Sequence, residues 1–171
     1  MNITFQPLTP EHLPLMHGWL QLPHVREFWD DGDRTSQQVE AHYFAPQRNV
    51  LAFIAALDSL AFAYAQAYPV AEDSDCVAWR SDSGETWGID LFIGESHWLG
   101  RGLAAPLITA FMAHLQELRP ELRRVLIDPE MENGRARHVY RKAGFSAVGT
   151  AQSGSKELEI MALDLPTQPS Y

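Results

Sequence analysis

Two acids in this chain stand where their surroundings do not call for them. Asp90 lies in the middle of the apolar run "WGIDLFI", and Asp128 closes a second apolar run, "RRVLIDP". A buried carboxylate is costly unless something pairs with it. A neighbouring Arg would make Asp90 structural; a substrate ammonium would make it functional. With Asp128 at the end of an adjacent strand, the two carboxylates can converge on one cleft and hold a cationic amine. An alkyl ammonium has a pKa of about 10 in water, so it must lose a proton before its nitrogen can attack. Desolvation raises a carboxylate pKa, so either acid could take that proton, directly or through a water. The same acids also favour the charged amine. In that case they chiefly bind, and the proton leaves through water.

A second chemical feature is the turn "LGRGLA", Leu99 to Ala104, between a strand and a helix. The first N–H groups of a helix lack internal partners, and the helix dipole favours an anion there. Gly100 and Gly102 let a phosphate approach without a Cβ in the way. The usable amides run from Gly100 through Leu103 to Ala105, and Arg101 adds a positive charge. Pro106 loses little within a first turn. A tight turn with no ligand fits the same letters. The turn is neither a Walker loop nor a dinucleotide fingerprint.

These residues need elements to position them. "ITFQPL" alternates like a strand, and Thr9 caps a helix that has Pro10 at its first position and runs to about Leu20. "PHVREFW" is a candidate short helix, "DDGD" a loop, and Thr35-Ser36 open a helix toward Phe44. Val50 to Tyr68 is nearly long enough to span a bilayer, but Asp58-Ser59 sits at its midpoint. Two strands joined by a turn explain it better. Glu72 to Glu85 is expected to be a polar loop holding five acids and Arg80. Trp87 to Ile93 is a strand, with Gly88, Asp90 and Phe92 on one face. Gly102 to Leu118 is a helix with Leu103, Leu107, Phe111, Leu115 and Leu118 on one side. Arg135 to Ala143 is a helix closed by Gly144. "FSAVGTA" and "ELEIMALDL" finish the sheet, for an order β α α β β β α β α β β.

The 171 residues suit one domain, expected over 1–166 with a short tail at 167–171. Apolar residues make up 46% and charged residues 20%, and the net charge is −9. That charge argues against unaided nucleic-acid binding and permits cationic partners. Cys76 is the sole cysteine, so an intrachain disulfide and a CxxC metal site are excluded. The seven histidines show no ligand spacing, so no metal is expected. The N-terminus lacks the pattern of a secretory signal, and a cytoplasmic protein with no membrane association is expected.

"LGRGLA" together with "IDPEMENGRARHVYRKAGF" (Ile127–Phe145) resembles the GNAT acyl-CoA-dependent N-acetyltransferases. Leu99 stands where the family's turn has Arg or Gln, and Gly134 where many members have Pro. Within the superfamily, "GIDLFIGESHWLGRGLA", the Ile127–Phe145 segment and "HVREFWDDG" resemble the aminoglycoside 6′-N-acetyltransferases. The resemblance covers most of the chain and is strongest over Gly88–Phe145.

It implies an α/β (mixed α+β) GNAT fold, a central, largely antiparallel, splayed sheet flanked by helices. It implies acetyl-CoA as cosubstrate, with its pyrophosphate on Gly100–Ala105 and its pantetheine along Leu91, Phe92 and Ile93 as an added strand. Asn133 would bond the pantetheine or merely cap its helix. Tyr140 would serve the leaving thiolate or be a core residue. Arg137, Arg141 and Lys142 could reach the 3′-phosphate or be solvated helix charges. Asp90 and Asp128 would bind the substrate and act in catalysis. Trp29 and Tyr43 would wall its sugar rings or belong to the core, and Gln66 and Tyr68 would line the cleft. The implied acceptor is a small polycationic amine, the 6′-amine of an aminoglycoside, conferring antibiotic resistance on a monomer or homodimer's host. Rival acceptors are a siderophore precursor and a protein N-terminus. A catalytically silent acyl-CoA-binding module would need neither Asp90 nor Tyr140.

Overall fold

The computed structural model describes residues 1–29 and 31–167. Seven strands form one sheet: β1 (Ile3–Pro7), β2 (Leu51–Leu57), β3 (Leu60–Pro69), β4 (Glu85–Ile93), β5 (Leu122–Ile127), β6 (Ser146–Ser153) and β7 (Lys156–Asp164). Their order across the sheet is β1-β2-β3-β4-β5-β7-β6. The helices are α1 (Leu13–Leu20), α2 (Pro23–Arg26), α3 (Ser36–Tyr43), α4 (Ala104–Leu118) and α5 (Gly134–Lys142). The short α2 adds one helix to the expected order. The end of the expected tail, 168–171, lies outside the described residues.

Two compact units divide the chain, and β3 and β4 each run through both. The first unit is Met1–Gln66 with Leu91–Leu103. Its core gathers Met16, Trp19 and Leu20 of α1, Val25 of α2, Val39 and Tyr43 of α3, Ile54 of β2 and Tyr64 of β3. Thr9 precedes a 3-10 turn over Pro10–His12 rather than the α-helix itself. Thr35 caps α3 as expected, its hydroxyl accepting from the Gln38 N–H. The long apolar run folds back as the β2–β3 hairpin. Asp58 (φ 46°) and Ser59 (φ 74°) both lie in the left-handed region that a two-residue turn requires. Among the described residues no helix is long and apolar enough to cross a membrane.

The second unit is Ala67–Asp90 with Ala104–Tyr171. Leu107, Phe111 and Leu115 of α4 are fully buried, as their spacing predicts, but Leu118 is 48% exposed at the helix end. The helix starts at Ala104, not Gly102, because Gly102 (φ 72°) is left-handed and cannot be helical. Glu85 is not part of the acidic loop. It opens β4, where Arg119 and the Trp87 indole hold its carboxylate below the usual value. The rest of that loop contains a 3-10 turn at Val77–Trp79.

The β4–β5 pairing decides where a site can form. It is parallel, runs from Glu85↔Leu122 to Gly88↔Leu126, and stops there. Ile89 and Asp90 continue past the last paired residue, and Asp128 follows the last residue of β5. β5 pairs antiparallel with β7 up to Ile127↔Met161, so its end is fixed from that side.

Candidate active site

Both acids singled out in the sequence lie just beyond the break in pairing, and each is half-buried. Asp128 feels burial first and the charge of Asp90 second; together they raise its carboxyl to about 6. A carboxylate tuned this way is half-protonated at about pH 6 and mostly ionised, yet more basic than an ordinary carboxylate, at neutral pH. Asp90 accepts a hydrogen bond from the Tyr68 phenol. Asp90 and Asp128 also act on the Tyr140 phenol, which burial chiefly pushes well above its ordinary value. Tyr68 is raised in the same way, first by burial and then by the two acids. Both tyrosines therefore stay protonated at neutral pH and can serve as donors.

A cleft lies at this point, lined by Tyr68, Gly88, Asp128 and, from the acidic loop, Ser74 and Cys76. Ser74 and Cys76 carry no motif, so the sequence offered no signal for them. Burial, then Asp128 and Asp75, pushes the Cys76 thiol up, which disfavours its thiolate. Gly88 did leave a signal, since a glycine inside a strand often marks a close approach.

The glycine turn has the backbone that its letters predict. Gly100 (φ 70°) and Gly102 (φ 72°) are both left-handed, and a Cβ at either would meet nothing within 4 Å. The glycines answer a backbone need and leave the turn's surface open. That openness leaves the turn accessible to an approaching group. Arg101 is partly committed: its Nε donates to the His97 carbonyl at 2.7 Å and its guanidinium stacks on Trp98. Leu103 is buried.

A scan against family models matches residues 9–153 to the acetyltransferase (GNAT) domain. The chain belongs to the GNAT acetyltransferase family. The aminoglycoside N(6′)-acetyltransferase type 1 of Klebsiella pneumoniae is 31% identical over 155 residues, 87% of this chain and 76% of that protein. The lysine N-acyltransferase MbtK of a Mycobacterium species is 25% identical over 156 residues, covering 87% of this chain and 61% of its own. Among solved structures, the aminoglycoside acetyltransferase AAC(6′)-Ib in complex with coenzyme A and kanamycin superposes with a TM-score of 0.82 at 30% identity, over 95% of each chain. The spermidine N-acetyltransferase of Vibrio cholerae, at 13% identity, TM-score 0.74 and 95% coverage of each chain, shares the fold.

In this GNAT chain several other expected site residues have occupied side chains. The Phe92 ring packs among Trp19, Trp29 and Tyr64. The Ile93 carbonyl bonds His24 Nε2 at 3.0 Å. Leu91 is half-buried. Tyr43 is a core residue: its hydroxyl donates to Asp31 at 2.5 Å and receives the Trp29 indole N–H at 2.9 Å. Trp29 packs against the same core. Gln66 is buried, and its Oε1 accepts from Arg48 and the Tyr64 hydroxyl, both at 2.7 Å. Asn133 caps α5, its Oδ1 accepting from the Ala136 N–H at 3.1 Å.

Arg137 and Arg141 are both already paired within the fold. Both grip Glu159 of β7, Arg137 Nε at 2.6 Å and Arg141 at 2.9 Å. The Glu159 side chain is only 8% exposed.

Proposed function

We propose that this GNAT enzyme acetylates the 6′-amino group of aminoglycosides with acetyl-CoA, and that Asp90, Asp128 and Tyr140 carry the chemistry. The single observation behind this reading is the acid pair beyond the β4–β5 break, with Asp128 raised to about 6 by burial and by Asp90. Two carboxylates that repel one another form a site that a cation relieves. The similarity to aminoglycoside N(6′)-acetyltransferases supports a polycationic acceptor.

When bound, acetyl-CoA supplies an activated acetyl thioester. The glycine turn and the first amides of α4 hold its pyrophosphate, and the backbone at Leu91–Ile93 takes its pantetheine. Asp90 and Asp128 together hold the ammonium. Asp128 accepts one of its protons, since a base near pH 6 is better matched to neutral conditions than an ordinary carboxylate. The freed nitrogen lone pair can then bond the acetyl carbon as the carbon–sulfur bond breaks. Tyr140 donates its phenolic proton to the departing thiolate and regains one from solvent. The nitrogen's surplus proton leaves as the amide forms. The acidic loop over Glu72–Asp82 adds negative surface, which speeds the encounter with a polycation. The enzyme is expected in the cytoplasm, as a monomer or homodimer.

A second reading draws on the similarity to the lysine N-acyltransferase, of which this chain spans less than two thirds. Its acceptor is a lysine side-chain amine. One panel separates the two: acetyl-CoA, thiol release as the readout, aminoglycosides with and without a free 6′-amine, and lysine derivatives. Turnover confined to aminoglycosides bearing the 6′-amine is the expected result. Turnover of lysine derivatives alone would replace the first reading with the second.

A further inference from the structure

Tyr68 belongs to the site, but acetyl transfer as described above gives it nothing to do. It stands near the end of β3, and its phenol donates to the Asp90 carboxylate. Its ring lies across Gly88 of the neighbouring strand. A Cβ at Gly88 would stand 2.3 Å from the Tyr68 Cε2, 2.6 Å from Cζ and 2.8 Å from the hydroxyl oxygen. Any other residue at position 88 would drive the ring away. The glycine and the tyrosine thus make one device, and that device ends on one acid of the pair.

We infer that Tyr68 is a positioning residue that fixes Asp90 as the anion of the pair and leaves Asp128 as the proton acceptor. The inference rests on the amine-acetylation reading. Two close carboxylates titrate as a pair, and the one with a donor keeps its charge more easily. The phenol has one proton to donate, and Asp90 receives it. The groups acting on Asp128 from the surrounding elements are Asp90 of β4, Tyr68 of β3, Cys76 of the acidic loop and Tyr140 of α5, with Asp75 behind Cys76. The two phenols and the thiol are neutral at pH 7, so Asp90 is the charge that Asp128 feels. Without the Tyr68 donor, the two acids would compete for a shared proton, and the last proton would leave at higher pH.

Carboxyl carbon NMR on the full chain, without substrate, follows the titrations of Asp90 and Asp128 directly. Tyr68→Phe keeps the ring over Gly88 and removes only the donor. The Asp90 midpoint is expected to rise by roughly half to one pH unit, about the worth of one hydrogen bond, and Asp90 then takes a share of the pair's last proton from Asp128. The acid limb of kcat/KM for kanamycin should rise with it, and the loss should be largest at low pH. An unmoved midpoint with a uniform loss across pH would make Tyr68 a packing residue and overturn the inference. Should Tyr68→Phe fail to fold, Gly88→Ala displaces the same ring and carries the same test. Asp128→Asn separates the two possible failures. Wild-type acetylation by that variant would refute the reading of the site as a base, while the NMR titration still decides the role of Tyr68.

Discussion

Glu159 and Asp128 are both acids withdrawn from water in the second unit, and they have opposite fates. Glu159 is the more deeply buried, yet Arg137 and then Arg141 hold its carboxyl below the usual value. Asp128 has another acid for a neighbour, and its carboxyl rises to about 6. Burial alone therefore does not mark a functional acid. The sign of the nearest charge does, because it decides whether the group is finished or still short of a partner.

Four experiments can break or sharpen this contrast. The largest effect belongs to Asp128→Asn, which keeps the shape and removes the base. Its kcat for an aminoglycoside is expected to fall about 100-fold, the lower end of general-base contributions. Steady-state kinetics at saturating acetyl-CoA check this. Glu159→Gln should retain activity per folded molecule but lose about 2 kcal/mol of stability in urea, because it strands two arginines that share one partner.

The third effect is a pair of opposite pH dependences. The folded Asp128 binds its proton more tightly than the unfolded chain does. Its contribution to stability is thus complete below about pH 4 and lost as pH rises through about 6. Asp128→Asn should be about 1 kcal/mol more stable than wild type at pH 8, a figure reduced for partial exposure, with the advantage vanishing toward pH 4. Glu159 has the reverse sign: its contribution is present above the ordinary glutamate value and lost as pH falls below it. Denaturation of both variants from about pH 2 to 8 should give differences from wild type that change with pH in opposite directions, Glu159 below about pH 4.5 and Asp128 between about pH 4 and 7. The smallest effect is Arg141→Ala, at most about 0.5 kcal/mol, since the Arg141 side chain is 47% exposed and Arg137 remains. A loss as large as that of Glu159→Gln would mean that the two arginines act as a unit.

The same contrast explains what was legible in the sequence. Asp90 and Asp128 stand out because each breaks an apolar run. The β2–β3 hairpin is legible from Asp58-Ser59, and the inner face of α4 from its periodicity. Local patterns carry all of these. The Arg137–Arg141–Glu159 cluster is not local: α5 reads as a charged helix, and Glu159 as the polar half of an alternating strand. Only the placement of β7 joins them. Glu85 was hidden for the same reason, because its partner Arg119 lies at the far end of α4. Tyr43 reads equally well as a sugar wall or a core residue, and Asp31 and Trp29 settle its hydroxyl in the core. The start of α4 shifts by two residues because a left-handed glycine is a property of the turn, not of the helix pattern.

The contact of Tyr68 with Gly88 also governs how this chain can drift under mutation. A side chain gained at 88 alone meets the ring, and a smaller residue at 68 alone leaves a hole and takes the donor from Asp90. A paired change can relieve the clash but still leaves Asp90 without its donor, so this pair resists change from either side while the acidic loop beside it can vary one residue at a time.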